Sequence, residues 1–286
     1  MAITDKKTGV WGLDQVYNKI NQGSIWFYPI HFFSWGRNDY GQCGLNNKTS
    51  KNSPTQVPGT TWSFIGEGDT TIGAVKTDGT MWHMGKNALG EGGQNNTNDG
   101  YSSPVQIPGT TWSKVGGSND GAAAIKTDGT LWTWGLGSNG GLAQNNTTNY
   151  SSPRQVGSDT TWANLAVNGN STYNIMAVKT DGTLWTWGRN TNGELGQNNR
   201  TNYSSPVQVG SDTTWDINDY KVSMGGNEVG AIKTDGTLWT WGNNGTGHLG
   251  HNNETQYSSP VQVPGTTWTA VSSSKNGQPR LMALKT

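Results

Sequence analysis

Few side chains in this sequence could carry acid–base, nucleophilic or metal chemistry. It holds four histidines, one cysteine and nineteen Asp plus Glu in 286 residues. His31 and His83 sit in short aromatic runs. His248 and His251 lie in a loop, where a sister segment carries Glu194 and Gln197. A zinc site needs three or four ligands within reach. No cysteine and no recurring carboxylate stands near these histidines, so no metal site is expected. Asp78, Asp128, Asp181 and Asp235 recur, but each precedes a glycine and reads as a turn former. Paired catalytic carboxylates would break the repeat, and none stands out. Cys43 occupies the place of Leu142, Leu195 and Leu249, as a small core residue would. No phosphate-loop pattern occurs. The chain is read as non-enzymatic, with no cofactor.

The elements that would position any site follow from composition and period. Glycine is abundant, at 42 residues, and there are fifteen tryptophans with only 13% charged residues. Disordered chains lack tryptophan and carry more charge, so many turns joining short aromatic strands fit better. Lys plus Arg balances Asp plus Glu. Neither a basic excess nor a basic stripe marks a nucleic-acid surface, and nothing favours an anionic membrane. Apolar runs are too short for a transmembrane helix. Met1 to Lys7 leads into no apolar h-region, so no signal peptide is expected. One cysteine excludes an intrachain disulfide.

Self-similarity is pronounced. Lys-Thr-Asp-Gly-Thr begins at Lys76, Lys126, Lys179 and Lys233, and Lys285-Thr286 opens a fifth copy. A Trp-Gly step recurs at Trp35, Trp134, Trp187 and Trp241, with Met84 standing in once. Thr-Thr-Trp recurs at Trp62, Trp112, Trp162, Trp215 and Trp268. Each unit holds four candidate strands, here a to d. Strand a follows Thr-Thr-Trp, b ends on the lysine, c is Leu-Trp-Thr-Trp, and d follows Ser-Pro. Asp-Gly between b and c is a hairpin signal, because its turn needs positive φ. Four short strands per unit, repeated, is the pattern of a β-propeller.

Residues Leu184-Trp185-Thr186-Trp187-Gly188-Arg189-Asn190-Thr191-Asn192-Gly193-Glu194-Leu195-Gly196-Gln197-Asn198 resemble the signature of RCC1-like repeats. The resemblance spans roughly residues 30 to 286. It implies an all-β propeller. Family members usually have seven blades, whereas this chain supplies strands for five. It starts at a strand c (Phe32-Phe33-Ser34-Trp35) and ends on a strand b (Leu281 to Lys285). The expected architecture is therefore five four-stranded blades, with the ring closed by pairing of the N- and C-terminal strands. That pairing would remove two exposed edges. The expected domains are a leader, residues 1–28, and a propeller, residues 29–286.

Alternating strand direction puts a–b and c–d connections on one face and b–c and d–a turns on the other. From the strand-a tryptophan to the strand-b lysine the step is 14, 14, 17, 18 and 17 residues. The extra residues fall in Val167 to Asn174, Asp216 to Asn227 and Ser272 to Pro279. Loops on a rigid scaffold commonly carry binding residues. Asn168, Tyr173, Tyr220 and Asn227 are the candidates there. Tyr150, Tyr203 and Tyr257 recur in c–d loops beside Asn and Ser, a composition suited to contact surfaces or carbohydrate. Their recurrence equally fits each tyrosine packing on its own blade.

In the leader, Leu13, Val16, Tyr17 and Ile20 form a helical apolar stripe flanked by Trp11. Met1 to Lys19 resembles the opening of bacteriophage fibre and decoration proteins. That resemblance implies a virion structural protein that assembles in the host cytoplasm. The leader would anchor through Trp11, Leu13, Val16, Tyr17 and Ile20 to other virion proteins. The propeller would be displayed, with a host-surface glycan or protein as possible partner and a homo-oligomer as a possible state. The alternative is a soluble lectin-like or protein-binding propeller with no virion role.

Overall fold

The structure is a computed structural model, and it describes residues 30–167, 174–274 and 280–286. The chain divides into two units, Met1–Ile30 and His31–Thr286. The described residues of the second unit are all-β, apart from one turn of 3-10 helix at Ser138–Gly140.

β1 (Phe33–Gly36) and β2 (Lys51–Gln56) form a two-stranded sheet. Four antiparallel four-stranded blades follow. The first holds β3 (Trp62–Glu67), β4 (Thr71–Lys76), β5 (Met81–Gly85) and β6 (Tyr101–Ile107). The second holds β7 (Trp112–Gly117), β8 (Gly121–Lys126), β9 (Leu131–Gly135) and β10 (Tyr150–Gln155). The third holds β11 (Trp162–Val167), β12 (Asn174–Lys179), β13 (Leu184–Gly188) and β14 (Tyr203–Gln208). The fourth holds β15 (Val222–Met224), β16 (Glu228–Ile232), β17 (Leu238–Gly242) and β18 (Tyr257–Gln262). β19 (Trp268–Ser273) pairs with β20 (Leu281–Lys285) in a last two-stranded sheet. The expected strands a to d appear in order in every blade. The terminal pairs are the c–d and a–b halves of a fifth. The expected closing ladder between Leu281–Lys285 and Phe32–Trp35 is not among the strand pairings of the described residues.

Local chemistry explains the repeat. In the Asp-Gly turns the aspartate accepts from the backbone N–H and hydroxyl of the following threonine, as Asp181 does from Thr183 at 3.0 and 2.7 Å. That hydroxyl then accepts from the indole N–H of Trp185 at 2.8 Å. Gly182 takes φ +77 there, and a Cβ on it would sit 2.1 Å from the Thr213 carbonyl oxygen. So the glycine is required by conformation and by its neighbour. The repeat lysine lies over two indole rings; Lys179 Nζ is 4.8 Å from the Trp162 centroid and 4.0 Å from that of Trp185.

Blades are bolted together by the second tryptophan of strand c. Trp134, Trp187 and Trp241 are fully buried. Each donates its indole N–H to a loop carbonyl of the preceding blade: Glu91 at 2.7 Å, Gly141 at 2.9 Å and Glu194 at 2.9 Å. Met84, which replaces this tryptophan once, is also fully buried. Cys43 is buried, as its alignment with leucine predicts, and burial pushes its thiol pKa up.

Candidate functional site

The segment that departs most from the repeat, among the described residues, is Asp216–Lys221. Reading by repeat position assigns the extra length of this blade to the a–b loop. The structure instead puts most of it inside the first strand. Ile232 holds both ends: its carbonyl accepts from Asp216 N at 3.0 Å and its N–H donates to Lys221 O at 2.8 Å. The four residues between loop out. β15 then resumes, and the a–b turn proper is only Gly225 to Asn227.

This excursion reaches the first strands of three other blades. Asn164 of β11 donates to the Asn218 carbonyl at 2.7 Å. Lys114 of β7 pairs with Asp219. Val271 of β19 donates its N–H to the Tyr220 carbonyl at 2.8 Å. First strands of successive blades pack against one another, β3 on β7, β7 on β11, β11 on β15 and β15 on β19. The excursion therefore lies on the inner side of the blades. Asp216 starts it by accepting from Asn218 N and Nδ2 at 3.0 and 2.7 Å.

Its outward side shows Ile217 and Tyr220, the latter 77% exposed. Tyr220 sits at φ +64. A non-glycine residue in that region carries a cost of about 1–2 kcal/mol, and such positions cluster at functional sites.

The remaining expected binding residues fall as follows. Asn168 and Tyr173 lie outside the described residues, as do Trp11, Leu13, Val16, Tyr17 and Ile20. Asn227 is half-buried, and its Oδ1 accepts from Arg189 at 3.2 Å. Tyr150, Tyr203 and Tyr257 are half-buried and pack on the blade cores. Their hydroxyls accept from Asn146, Asn199 and Asn253 at 3.1, 3.0 and 3.0 Å. Those asparagines also cap their own loops, each accepting from the backbone N–H of the threonine two residues on.

One set of loop residues escaped the sequence reading. Asn38, Asn190 and Asn244 are fully buried. Each staples a c–d loop: Asn190 accepts from Leu195 N at 2.9 Å and donates to Asn199 O and Thr201 O at 3.1 and 3.0 Å. Their recurrence at one repeat register, next to Trp-Gly, was the available signal.

Several titratable groups are built into the loops and the core. Glu91, Glu194 and Glu228 are fully buried, and burial raises the pKa of each. Glu194 accepts from Asn192 N at 2.6 Å, and Glu91 from Leu89 N at 2.7 Å. His83 is buried against Tyr101, which lowers its pKa to about 4. His251 Nε2 lies 2.8 Å from the Thr240 hydroxyl. No group of three or more His, Cys, Asp or Glu could hold a metal among the described residues. No helix among them is long and apolar enough to cross a membrane.

A second feature is an open groove of about 440 Å³ beside the first blade. Trp62, Trp82, Lys76, Asn46, Gly59 and Ser103 are among its lining residues, and Lys76 Nζ lies 4.4 Å from the Trp82 ring centroid. In the third and fourth blades the matching lysines pair with Asp159 and Asp212. Here Gly59 stands in the place of that aspartate.

Comparison with known proteins agrees with this architecture. A human protein, WBSCR16, has a crystal structure of TM-score 0.73 to this one, 22% identical over 88% of this chain and 67% of that chain. Prp20p of Saccharomyces cerevisiae, described with its binding to Gsp1p and histones, gives 0.72 at 14% identity over 90% and 65%. In sequence, the RCC2 homolog of Danio rerio is 30% identical over 92 residues, 31% of this chain and 18% of that protein. The human E3 ubiquitin-protein ligase HERC2 is 32% identical over 87 residues, 30% of this chain and 2% of that protein. The matches thus span less than a fifth of these curated relatives. The model of the Regulator of chromosome condensation (RCC1) repeat matches residues 31–64, 128–167, 181–230 and 235–276, more than half of the sequence, so the chain belongs to the RCC1 repeat family.

Proposed function

We propose that this chain is a non-catalytic binding propeller, displayed on a virus particle through its N-terminal segment. The observation that carries the binding half is Tyr220. It is exposed and held at positive φ, its carbonyl accepts from Val271 N, and the two residues before it are fastened to β11 and β7. A strained backbone that presents a large amphipathic side chain to solvent fits a contact residue. The employment of the recurrent carboxylates and histidines in turns, loops and core supports a non-catalytic role. The virion half rests on the likeness of Met1 to Lys19 to phage fibre and decoration proteins. Mass spectrometry of purified particles tests it, together with incorporation of a chain lacking residues 1–28. Presence in particles and loss on truncation support the reading; absence from particles refutes it.

The alternative is a soluble propeller that binds a protein or a glycan without any virion role. Prp20p binds Gsp1p and histones, which supports protein binding by this fold. The Trp82 groove supports a glycan, since an indole flanked by amide and hydroxyl groups suits a sugar ring. Glycan-array binding lost in Trp82→Ala but retained in Tyr220→Ala favours the groove.

A further inference from the structure

In the third and fourth blades the repeat lysine, already lying over two indole rings, also meets a carboxylate. Lys179 Nζ lies 2.5 Å from Asp159 Oδ2, and Lys233 pairs with Asp212 in the same way. Each aspartate is fixed in turn by the threonine two residues on. Asp159 accepts from the Thr161 backbone N–H at 2.9 Å and from its hydroxyl at 2.6 Å. These blades show where a carboxylate binds this lysine: it takes a charge-assisted hydrogen bond beside two aromatic rings.

The first blade keeps the cation and lacks the anion. Lys76 Nζ is 4.9 Å from the Trp62 centroid and 4.4 Å from that of Trp82, close to the 4.8 and 4.0 Å of Lys179 over Trp162 and Trp185. The turn before it is Pro58-Gly59, one residue shorter than Gly157-Ser158-Asp159. A Cβ built on Gly59 would stand 3.5 Å from Lys76 Nζ, so the missing side chain leaves room beside the ammonium. Among the described residues Lys76 makes no ion pair and donates no hydrogen bond. Asp78, on the same hairpin, accepts from Thr80 N and Oγ1 at 2.9 and 2.7 Å. Its counterpart Asp181 is present in the third blade beside Asp159, so Asp78 does not stand in for the missing carboxylate.

The groove around Lys76 sets the rest of the ligand. Pro58, Pro104 and the two indoles line it with C–H and ring surface. The Ser103 hydroxyl donates to Asn46 Oδ1 at 3.0 Å, which leaves the Asn46 amide N–H groups to donate and the Ser103 oxygen to accept. The volume of about 440 Å³ falls in the range of small-ligand sites, about 300–1,000 Å³. A ligand that uses all of this carries a carboxylate, several hydroxyls and an apolar C–H face. We propose that the groove binds an acidic saccharide, of the uronic or sialic acid kind, whose carboxylate takes the place beside Lys76 that Asp159 fills beside Lys179. This rests on the glycan reading of the Trp82 groove and is independent of the virion reading.

The second blade repeats the lysine and the glycine, with Lys126 over Trp112 and Trp132 after Pro108-Gly109. The test therefore uses two full-length variants in which Pro-Gly is replaced by the Gly-Ser-Asp of the third blade. One is changed at Pro108-Gly109 only, the other at both Pro58-Gly59 and Pro108-Gly109. Every lysine and tryptophan stays in place, and circular dichroism checks the fold. Lys76→Gln on the first variant replaces the second if the double change fails to fold. The probes are immobilised oligogalacturonates and sialylated oligosaccharides, their neutral counterparts, and a short polyglutamate peptide. Wild type and the first variant should both hold an acidic saccharide. The second should hold it about tenfold more weakly or worse, the loss of one charge-assisted hydrogen bond. Neutral sugars held as tightly as acidic ones, lost in Trp82→Ala but kept by the double change, overturn the inference and leave the glycan reading standing. Wild type that holds no saccharide overturns both. Polyglutamate held as tightly as the acidic saccharides makes this an acidic-peptide site, and binding already lost in the first variant places it in the second blade; either result overturns the proposal.

Discussion

Replacing Trp187 with alanine tests the blade-to-blade bolt most directly. The side chain is fully buried, stacks edge-on against Trp162 and donates to the Gly141 carbonyl, 46 residues away in the preceding blade. An aromatic side chain of this kind removes roughly 150–250 Å² from water. At about 25 cal/mol per Å², less what alanine retains, the loss is about 3–5 kcal/mol. The orphaned Gly141 carbonyl adds about 1 kcal/mol. Urea denaturation should show a lower midpoint with an unchanged slope, meaning lost stability rather than a changed denatured state. Trp187→Phe keeps most of the ring contact and loses the N–H, so its cost should be intermediate, about 1–2 kcal/mol. Trp35 provides the internal control. It occupies the same repeat register but is 60% exposed. In dilute monomer, Trp35→Ala should cost under about 0.5 kcal/mol. Equal losses at Trp35 and Trp187 would refute the reasoning, because they would mean that the β1 edge is already covered within one chain.

Glu194→Gln should raise the melting temperature at pH 7. Gln42, at the same register, already accepts the equivalent bond from Tyr40 N at 3.0 Å. Burial raises the folded pKa of Glu194, so its destabilising effect grows as pH rises from the unfolded value through the folded one. The variant should flatten that limb. His83→Thr adopts the residue of Thr133, Thr186 and Thr240. Because the folded pKa of His83 is lowered to about 4, wild type loses stability as pH falls from about 6.5. The variant should lose roughly 3 kcal/mol less over that range, read from denaturation at several pH values. Asp78, Asp128, Asp181 and Asp235 have folded pKa values lowered by their threonine hydrogen bonds. Their stabilisation is present above the unfolded carboxylate pKa and is lost as pH falls through the folded ones. Converting all four to asparagine should therefore shallow the final acid-unfolding limb. Tyr220→Gly should leave stability unchanged or raise it by up to about 1 kcal/mol, by relieving positive φ. The same change should remove binding at the excursion, read by pull-down from the natural host or partner extract.

The blade is written in local sequence. Local rules decide it: Asp-Gly needs one turn, period-2 tryptophans need one strand face, and both recur with every copy. Asp181, Thr183 and Trp185 form one hydrogen-bonded chain within five residues, so pattern alone reveals it. Trp134, Trp187 and Trp241 recur at one register of strand c, and all three are buried. The recurring loop tyrosines were legible only as two alternatives. Their asparagine partners, four residues earlier, show that they pack on their own blades.

The course of the irregular segment is set by contacts distant in sequence. Extra length between Trp215 and Lys233 reads equally as a longer loop or as a bulge within a strand. Only the paired bonds to Ile232 and the contacts with Lys114, Asn164 and Val271 place it on the inner side of the blades. Those partners lie about 50 to 105 residues away, and no local propensity encodes them. Trp35 and Trp187 share a motif, yet one is open to solvent and the other sealed. The repeat specifies each strand's own conformation. Whether its edge is covered depends on a neighbour distant in sequence, which the repeat itself does not specify.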